Sequence, residues 1–373
     1  MKKRKFGLAL SLILAAGTIL GACGGGGKDE AERKGGGAGD TGDRTEETFK
    51  VAMVTDTGGV DDKSFNESAW KGIKEFGEEN GLTEGEGYTY LQSKSDADYT
   101  TNLNSLARKG FNLIYGVGFL IQESLNEIAG QQTETQFGIV DAVVEQPNVV
   151  SILFREQESS FLAGVVAGLT TVSDKIGFIG GVSGEVVGRF EAGFSAGVKT
   201  VNPKADLDIQ YAEDFEAAEK GQAIASKMYA SGVDVIFHAA GATGNGLLKE
   251  ARDLKKKDPE RNVWVIGVDS DQSNEGVVEI NGEEKNVVIT SALKRVDVAV
   301  KDISKRAMEG DFAGGETVVY TLADDGVGLA SINDEVEAKA EIEERVKEFS
   351  ERIKSGELVI PGTKEELEDF SAE

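Results

Sequence analysis

Two kinds of segment alternate along most of the chain. Short apolar runs rich in β-branched side chains are typical of buried strands, and longer stretches with apolar positions at helical spacing are typical of amphipathic helices. The predicted strands are KVAMVT, YTYLQS, NLIYGV, QFGIVD and NVVSILF, followed by KIGFIGG, LDIQYA, VDVIFHA, VWVIGV and VVITSAL. This alternation predicts βαβ units around parallel sheets. The predicted strands form two successive groups of five, which favours an α/β protein with two similar lobes.

The last third of the chain departs from this alternation. DVAVKDISKRAMEGD predicts one more helix, ETVVYTLADDGVGL an extended segment with a turn, and DEVEAKAEIEERVKEFSERIKSG a long charged helix. A charged terminal helix commonly forms a solvated outer layer. We therefore assign the last helix no ligand role.

The first 22 residues have the organisation of an export signal. The basic string MKKRK precedes the apolar run FGLALSLILAAGTIL, and small residues lead to Cys23, the only cysteine. This run is shorter than the roughly 20 residues of a spanning helix. The string LGAC ending at Cys23 resembles the lipobox of bacterial lipoproteins, in which the signal is cleaved before a cysteine that receives a diacylglyceryl group and usually an N-acyl chain such as palmitate. A secreted protein with an unmodified cysteine is the alternative.

Residues 23–48 are predicted to form the lipidated cysteine and a flexible tether. The string GGGGKDEAERKGGGAGDTGDRTEET is Gly-rich and charged, with no apolar side chain larger than alanine. Two or more acyl chains hold a protein stably at a bilayer. We therefore expect a lipid anchor at the cell membrane, on its extracytoplasmic face.

The net charge narrows the range of partners. The formal charge of the whole chain is −26, and loss of the four cations of the signal makes it −30. So acidic a surface argues against nucleic acid or anionic lipid as a partner. It does not bear on a neutral small molecule.

Candidate ligand-binding residues follow the predicted strands, because ligands of open parallel sheets bind outside the carboxyl ends of the strands. Asp141 and Asp269 stand at matching places in the two halves, after FGIV and WVIGV. Each could be a ligand acceptor or only a loop or cap acid. After the first strand, Ser64 and Glu67 have the spacing of a helix capping box, which would project Phe65 and Asn66 into a cleft.

Enzymatic function has little support in the sequence. His238, the only histidine, lies inside a predicted strand, and no Ser/His/Asp order with a Gly-x-Ser-x-Gly nucleophile elbow appears. The string GFSAG at 193–197 falls within the helix-like segment RFEAGFSAGVKTV. The acids Asp61 and Asp62 lack the spaced histidine or further ligand of a metal site, and we interpret them as loop and helix-dipole acids. We expect no catalytic residue, no cofactor and no metal.

Several strings together resemble one known family. DTGGVDDKSFNESAWKGI, FREQESSFLAG, GRFEAGFSAGVK, AAGATGNG and VIGVDSDQ occur in this order between about residues 51 and 329. They are similar to motifs of the basic membrane protein family of ABC-transporter substrate-binding lipoproteins, whose characterised members are purine nucleoside receptors. The resemblance implies a type I periplasmic-binding-protein fold, in which two Rossmann-like lobes joined by three crossings close on a ligand.

The resemblance also implies a division of the chain. We expect lobe 1 to comprise residues 49–157 and 294–314 and lobe 2 to comprise residues 158–293 and 315–373. The crossings would lie near residues 155–160, 291–295 and 314–320.

The resemblance further implies a purine nucleoside as ligand, with ABC permease and ATPase subunits as partners. Phe65 matches the family's stacking position, and Phe190 is the candidate for the opposite lobe. The remaining candidates are Asp141 and Asn66 for the base, Asp269 and Lys294 for the ribose, and Asp56 with the Gly241 backbone nearby. Phe65 could instead be buried packing, and Lys294 an exposed cation after its strand. A flavin, a sugar-like signal or a tethered sensor without a small ligand are the alternatives.

Overall fold

Two six-stranded sheets form the framework of residues 48–372, the part of the chain that this computed structural model describes. The predicted signal, Cys23 and nearly all of the tether lie outside these residues. The first sheet contains β1 (Val51–Val54), β2 (Tyr88–Leu91), β3 (Leu113–Val117), β4 (Gln136–Val140), β5 (Val149–Phe154) and β13 (Thr317–Tyr320). The second contains β6 (Lys175–Gly180), β7 (Asp206–Tyr211), β8 (Val235–Ala239), β9 (Trp264–Asp269), β12 (Val288–Lys294) and β14 (Val327–Leu329). A separate antiparallel pair consists of β10 (Val277–Ile280) and β11 (Glu283–Asn286).

The two sheets share one topology. Their strand orders are β13-β5-β4-β3-β1-β2 and β14-β12-β9-β8-β6-β7. Neighbouring strands are parallel except for β12 and β14, which are antiparallel. The predicted α/β class with parallel sheets is confirmed, and each of the ten predicted strands is present.

Ten helices of the described residues cover the sheets. They are α1 (Phe65–Glu79), α2 (Asp96–Arg108), α3 (Gln122–Gln131), α4 (Glu156–Thr170), α5 (Glu185–Val201), α6 (Ala218–Ala230), α7 (Gly244–Lys257), α8 (Val296–Met308), α9 (Lys339–Lys354) and α10 (Lys364–Glu368). In α1 the buried Ala69, Ile73 and Phe76 recur at spacings of four and three, which places one apolar face on the core. The α/β layering follows from this spacing.

The chain passes between the two sheets three times. We call the first sheet with α1, α2, α3 and α8 the first lobe, and the second sheet with α4 to α7, α9 and α10 the second lobe. The crossings lie at Arg155, between β5 and α4; at Arg295, between β12 and α8; and at residues 321–326, between β13 and β14. We predicted that residues 315 onward belong to lobe 2, but β13 pairs with β5 in the first sheet. This pairing moves the third crossing beyond Tyr320.

Helices α4 and α5 approach each other closely through glycine. A Cβ added to Gly197 would lie 2.1 Å from the Phe161 carbonyl oxygen, and one added to Gly164 would lie 2.2 Å from the Phe194 carbonyl oxygen. Neither neighbour is a side chain that can move aside. The backbone contact therefore requires glycine at both positions.

We expect Gly197→Ala to lower the free energy of unfolding by about 1–3 kcal/mol, because the methyl group forces the two helices apart. Urea denaturation measures this change. Gly188→Ala in the same helix is the matched control, since no heavy atom outside its local surroundings lies within 4 Å of the added Cβ. The free energy of unfolding of Gly188→Ala should equal that of wild type or exceed it by up to about 1 kcal/mol. Equal losses in the two variants would contradict the packing argument.

Candidate ligand-binding cavity between the lobes

A cavity lies where the carboxyl ends of the strands of both sheets meet. Ligands of open parallel sheets bind at this edge of the strands. All eight predicted ligand-binding residues line it: Asp56, Phe65, Asn66, Asp141, Phe190, Gly241, Asp269 and Lys294. The tertiary structure thus brings residues that span more than half of the chain around a single cavity.

Asp141 and Asp269 occupy equivalent positions in the two lobes. Asp141 directly follows β4, and Asp269 is the last residue of β9. Each of these strands is the third in the strand order of its sheet. Both carboxyl groups are buried, and both residues have positive φ, 70° for Asp141 and 62° for Asp269. Such a conformation costs a non-glycine residue about 1 kcal/mol or more and recurs at functional sites. Equivalent strand ends of the two lobes therefore each carry a buried aspartate with positive φ.

Lys294 is a buried cation that connects the lobes. Its side chain is 1% exposed, so it is not the exposed cation that the sequence left open. Nζ lies 2.6 Å from Asp141 Oδ2 of the first lobe and 3.0 Å from Glu156 Oε1 at the first crossing. Burial lowers the pKa of Lys294, but the two carboxylates outweigh it and raise that pKa above its usual value. Lys294 is therefore charged within the closed cleft.

Glu156 is a buried acid that the sequence analysis did not assign to the site. Arg189 Nε donates to Glu156 Oε2 at 2.6 Å, on the side away from Lys294. Burial opposes ionisation of Glu156, yet Lys294 and Arg189 together hold its pKa below the usual value. Glu156 lies two residues after the end of β5, so its place at a strand end is predictable from the sequence. Nothing in the sequence indicates its partners.

The acids of the first loop form a network around Asn66. Asn66 Nδ2 donates to Asp56 Oδ1 at 2.7 Å and to Asp62 Oδ2 at 3.1 Å. Burial raises the pKa of Asp56 to about 7, although Asn66 and the Gly58 amide lower it. Burial likewise raises the pKa of Asp269 to about 7 against the effect of Lys294. A ligand that donates further hydrogen bonds to Asp56 or Asp269 therefore lowers the pKa of that carboxyl group and favours its ionised form.

Two acceptor atoms of the cavity have no hydrogen-bond partner in the structure. These are Asn66 Oδ1 and Asp141 Oδ1, both buried. A buried acceptor without a donor costs about 1–3 kcal/mol. Both atoms therefore favour a ligand that presents N–H or O–H groups.

The predicted capping box at the start of α1 is wrong. Ser64 stands at the N-cap, but its side chain makes no capping bond, and Oγ donates instead to Asp269 Oδ2 of the second lobe. Asp62 takes over the capping role. Its carboxylate accepts from the backbone amides of Ser64, Asn66 and Glu67 at 2.8–3.1 Å. The local pattern could not show that the serine hydroxyl has a stronger acceptor across the cleft.

Four phenylalanines line the cavity, two of which the sequence analysis did not select. Phe65 and Phe190 have ring centroids 4.9 Å and 5.8 Å from Lys294 Nζ. Phe119 of the first lobe and Phe215 of the second contact each other edge to face, with centroids 6.1 Å apart. Phe119 lies two residues after the end of β3 and Phe215 four residues after the end of β7. A search of the loops that follow the predicted strands could therefore have found both.

Metal binding and membrane spanning find no support within residues 48–372. No group of three or more His, Cys, Asp or Glu side chains there could hold a metal ion. No helix there is long and apolar enough to cross a bilayer. His238 is fully buried in β8, inside a strand as the sequence indicates.

We expect Lys294→Met to lower the free energy of unfolding by about 3–5 kcal/mol at pH 8, because it leaves Asp141 buried without a cation and Glu156 with Arg189 alone. Burial already raises the pKa of Asp141 in wild type, and loss of Lys294 raises it further and raises the pKa of Glu156 as well. Folding then binds protons, so the deficit against wild type should shrink as the pH falls from 8 to 5. Urea denaturation at several pH values measures the deficit.

Lys301→Met provides the control for this prediction. Lys301 contacts Glu75 and Glu79 at the surface of α1 and α8. Loss of such an exposed pair costs about 1 kcal/mol or less. A Lys294→Met deficit as small as that of the control, or independent of pH, would contradict the assigned role of Lys294.

The chain is similar to known proteins over nearly its full length. Residues 49–364 match the Bmp family, described as ABC transporter substrate-binding protein PnrA-like. The chain is 53% identical to a CD4+ T-cell-stimulating antigen of Listeria innocua, with 97% of this chain and 99% of that protein covered. It is 41% identical to the ABC transporter nucleoside-binding protein BmpA of Lactococcus lactis subsp. cremoris, with the same coverage of 97% and 99%.

A solved structure supports the fold as well as the family. An ABC transporter system solute-binding protein from Aeropyrum pernix K1 has a TM-score of 0.71 and 27% identity, with 86% of this chain and 96% of that chain covered. The family resemblance of the sequence motifs is thereby confirmed. This chain belongs to the Bmp family of ABC-transporter substrate-binding proteins.

Proposed function

We propose that this protein binds purine nucleosides in the cavity between its lobes and delivers them to the permease and ATPase subunits of an ABC importer. The observation that carries the proposal is the pair of unpartnered acceptors, Asn66 Oδ1 and Asp141 Oδ1, beside the rings of Phe65 and Phe190. A flat ring with N–H groups at its edge satisfies both features. The nucleoside-binding name of the Lactococcus relative supports the same ligand class.

The base is assigned to the aromatic part of the cavity. Phe65 and Phe190 provide ring surfaces, and stacking of a base on such a ring contributes roughly 1–3 kcal/mol. Asp141 and Asn66 accept hydrogen bonds from the N–H groups of the base. Hydrogen bonds to a charged acceptor are worth about 1.5–3 kcal/mol. Shape and donor positions then select among the bases.

The ribose is assigned to the charged part of the cavity. Asp269 and Asp56 accept from hydroxyl groups, Lys294 donates to a hydroxyl oxygen, and the Gly241 amide lies close by in the lining. Each hydroxyl donor favours the ionised form of an acid whose pKa burial has raised to about 7. A neutral ligand rich in donors thus suits a cavity with more acids than cations.

Thermal unfolding tests the ligand class. Guanosine, inosine or adenosine at 100 times its Kd should stabilise the protein by roughly 2.7 kcal/mol, whereas cytidine and ribose should have smaller effects. A shift with a flavin or a sugar alone would favour the alternative ligands. No shift with any small molecule would favour the tethered sensor.

Phe65→Ala should weaken purine nucleoside binding at least tenfold, as expected from the loss of about 1.4 kcal/mol or more of stacking. Isothermal titration measures the affinity. Phe312→Ala is the matched control, because Phe312 is also a half-buried phenylalanine of the first lobe but does not line the cavity. The melting temperature of the ligand-free Phe65→Ala protein should stay near that of wild type. If it falls by many degrees with affinity retained, Phe65 is a core residue and the assigned site is wrong.

The lipid anchor is a second part of the proposal, supported by the lipobox-like string before Cys23. Cys23→Ser should move the protein from the membrane fraction to the soluble fraction, because the acylated thiol is lost. Mass spectrometry of the N-terminal peptide should show an acylated Cys23 in wild type. Thr41→Ala, a change in the tether, should leave the distribution unaltered. Retention of the Cys23→Ser protein at the membrane would contradict lipid anchoring.

A further inference from the structure

Three consecutive backbone carbonyls of the first lobe face the second lobe. Asn245 Nδ2 donates to the Asp62 carbonyl at 3.2 Å, and Gln272 Nε2 donates to the Lys63 carbonyl at 3.0 Å. Ser270 Oγ lies 3.5 Å from the Ser64 carbonyl. We call residues 62–64 the contact segment. Its carbonyl groups connect the lobes next to the cavity.

Gln272 is held in one orientation by its own lobe. Its side chain is 1% exposed, and the Val268 amide donates to Oε1 at 3.0 Å. A backbone amide can only donate, so the atom beside it must be the oxygen of the side-chain amide. Nε2 is therefore the atom that faces the Lys63 carbonyl. The Gln272 side chain is therefore the donor of its hydrogen bond across the cleft.

His238 fixes the same oxygen from the other side. Its Nε2 lies 2.9 Å from Gln272 Oε1, so this nitrogen carries the proton. Nδ1 is then unprotonated, and it is buried without a hydrogen-bond partner. Burial lowers the pKa of His238 to about 4, which keeps the ring neutral at physiological pH. The neutral Nε2–H ring orients Gln272.

We propose that Asn245 and Gln272, the latter positioned by His238, set the lifetime of the closed form by binding the backbone of the contact segment. This inference rests on the proposed function, in which a ligand is held by closure of the lobes. None of the three side chains lines the ligand cavity. Because they bind backbone carbonyls, they stabilise closure whatever ligand is inside. Retention of the ligand is thereby separated from its recognition.

Stopped-flow kinetics with guanosine test this assignment on the chain from residue 24 onward, which retains the whole compact unit from Glu47. Gln272→Met and Asn245→Ala should each raise the dissociation rate about fivefold, the effect of one hydrogen bond. The association rate should change less than about twofold, since encounter occurs with the open form. The preference for guanosine over cytidine should remain. Unchanged dissociation rates, or a changed preference, would overturn the assignment.

The positioning role of His238 has its own readout. His238→Phe should raise the dissociation rate in the wild-type background but add nothing in the Gln272→Met background, because it acts only through Gln272. Additive effects would show a merely structural role. Gln210→Ala is the control, since Gln210 lies in the second lobe and its side chain binds Asp208. Nitrogen-15 NMR should show the neutral Nε2–H form of His238.

A ligand-free measurement separates failure of this inference from failure of the nucleoside assignment. Single-molecule fluorescence between labels at Glu78→Cys and Glu219→Cys, both exposed and in different lobes, reports closing events. The closed dwell time should shorten in Gln272→Met and Asn245→Ala and stay constant in Gln210→Ala. Shorter dwell times with no nucleoside binding would sustain the closure contact and reject the ligand. Constant dwell times would reject the closure contact.

Discussion

The ion pair network of Lys294 is the interaction on which the closed cleft depends. A lysine at the end of a second-lobe strand meets Asp141 of the first lobe and Glu156 at a crossing. Removing these charges from water costs several kcal/mol for each ion. Glu156, Arg189 and Lys294 lie in the second lobe, and the approach of the first lobe adds the pair between Lys294 and Asp141. The same residues therefore couple lobe closure to the shape of the cavity.

The surroundings of this network explain the chemical character of the cavity. The acids outnumber the cations, and burial raises the pKa of Asp56 and Asp269 to about 7. A neutral ligand with many donors can bind such acids without bringing a further charge into a buried site. Aromatic rings on both lobes supply the apolar contact area. In the proposed binding mode, ring contact supplies binding energy and the buried acceptors supply selectivity.

The proposed recognition and the proposed retention of the ligand use different atoms of the same first loop. Phe65 and Asn66 point to the cavity, whereas the carbonyls of residues 62–64 and the Ser64 hydroxyl contact the second lobe. Backbone carbonyls carry no side-chain identity, so closure through them does not depend on ligand type. Side chains of the same loop can then vary with the ligand while the closing contact is kept.

Local patterns in the sequence account for the strands, the helices and the residues at the strand ends. Period-two and helical spacing are local properties, so the strands, the helices and the acids at matching strand ends could be predicted. The partners of these residues come from segments far apart in the chain. Ser64 binds Asp269, 205 positions away, and not its own helix, and β13 pairs with β5 and not with the second sheet. Contacts between distant segments depend on how the two lobes meet, and no local pattern records that arrangement.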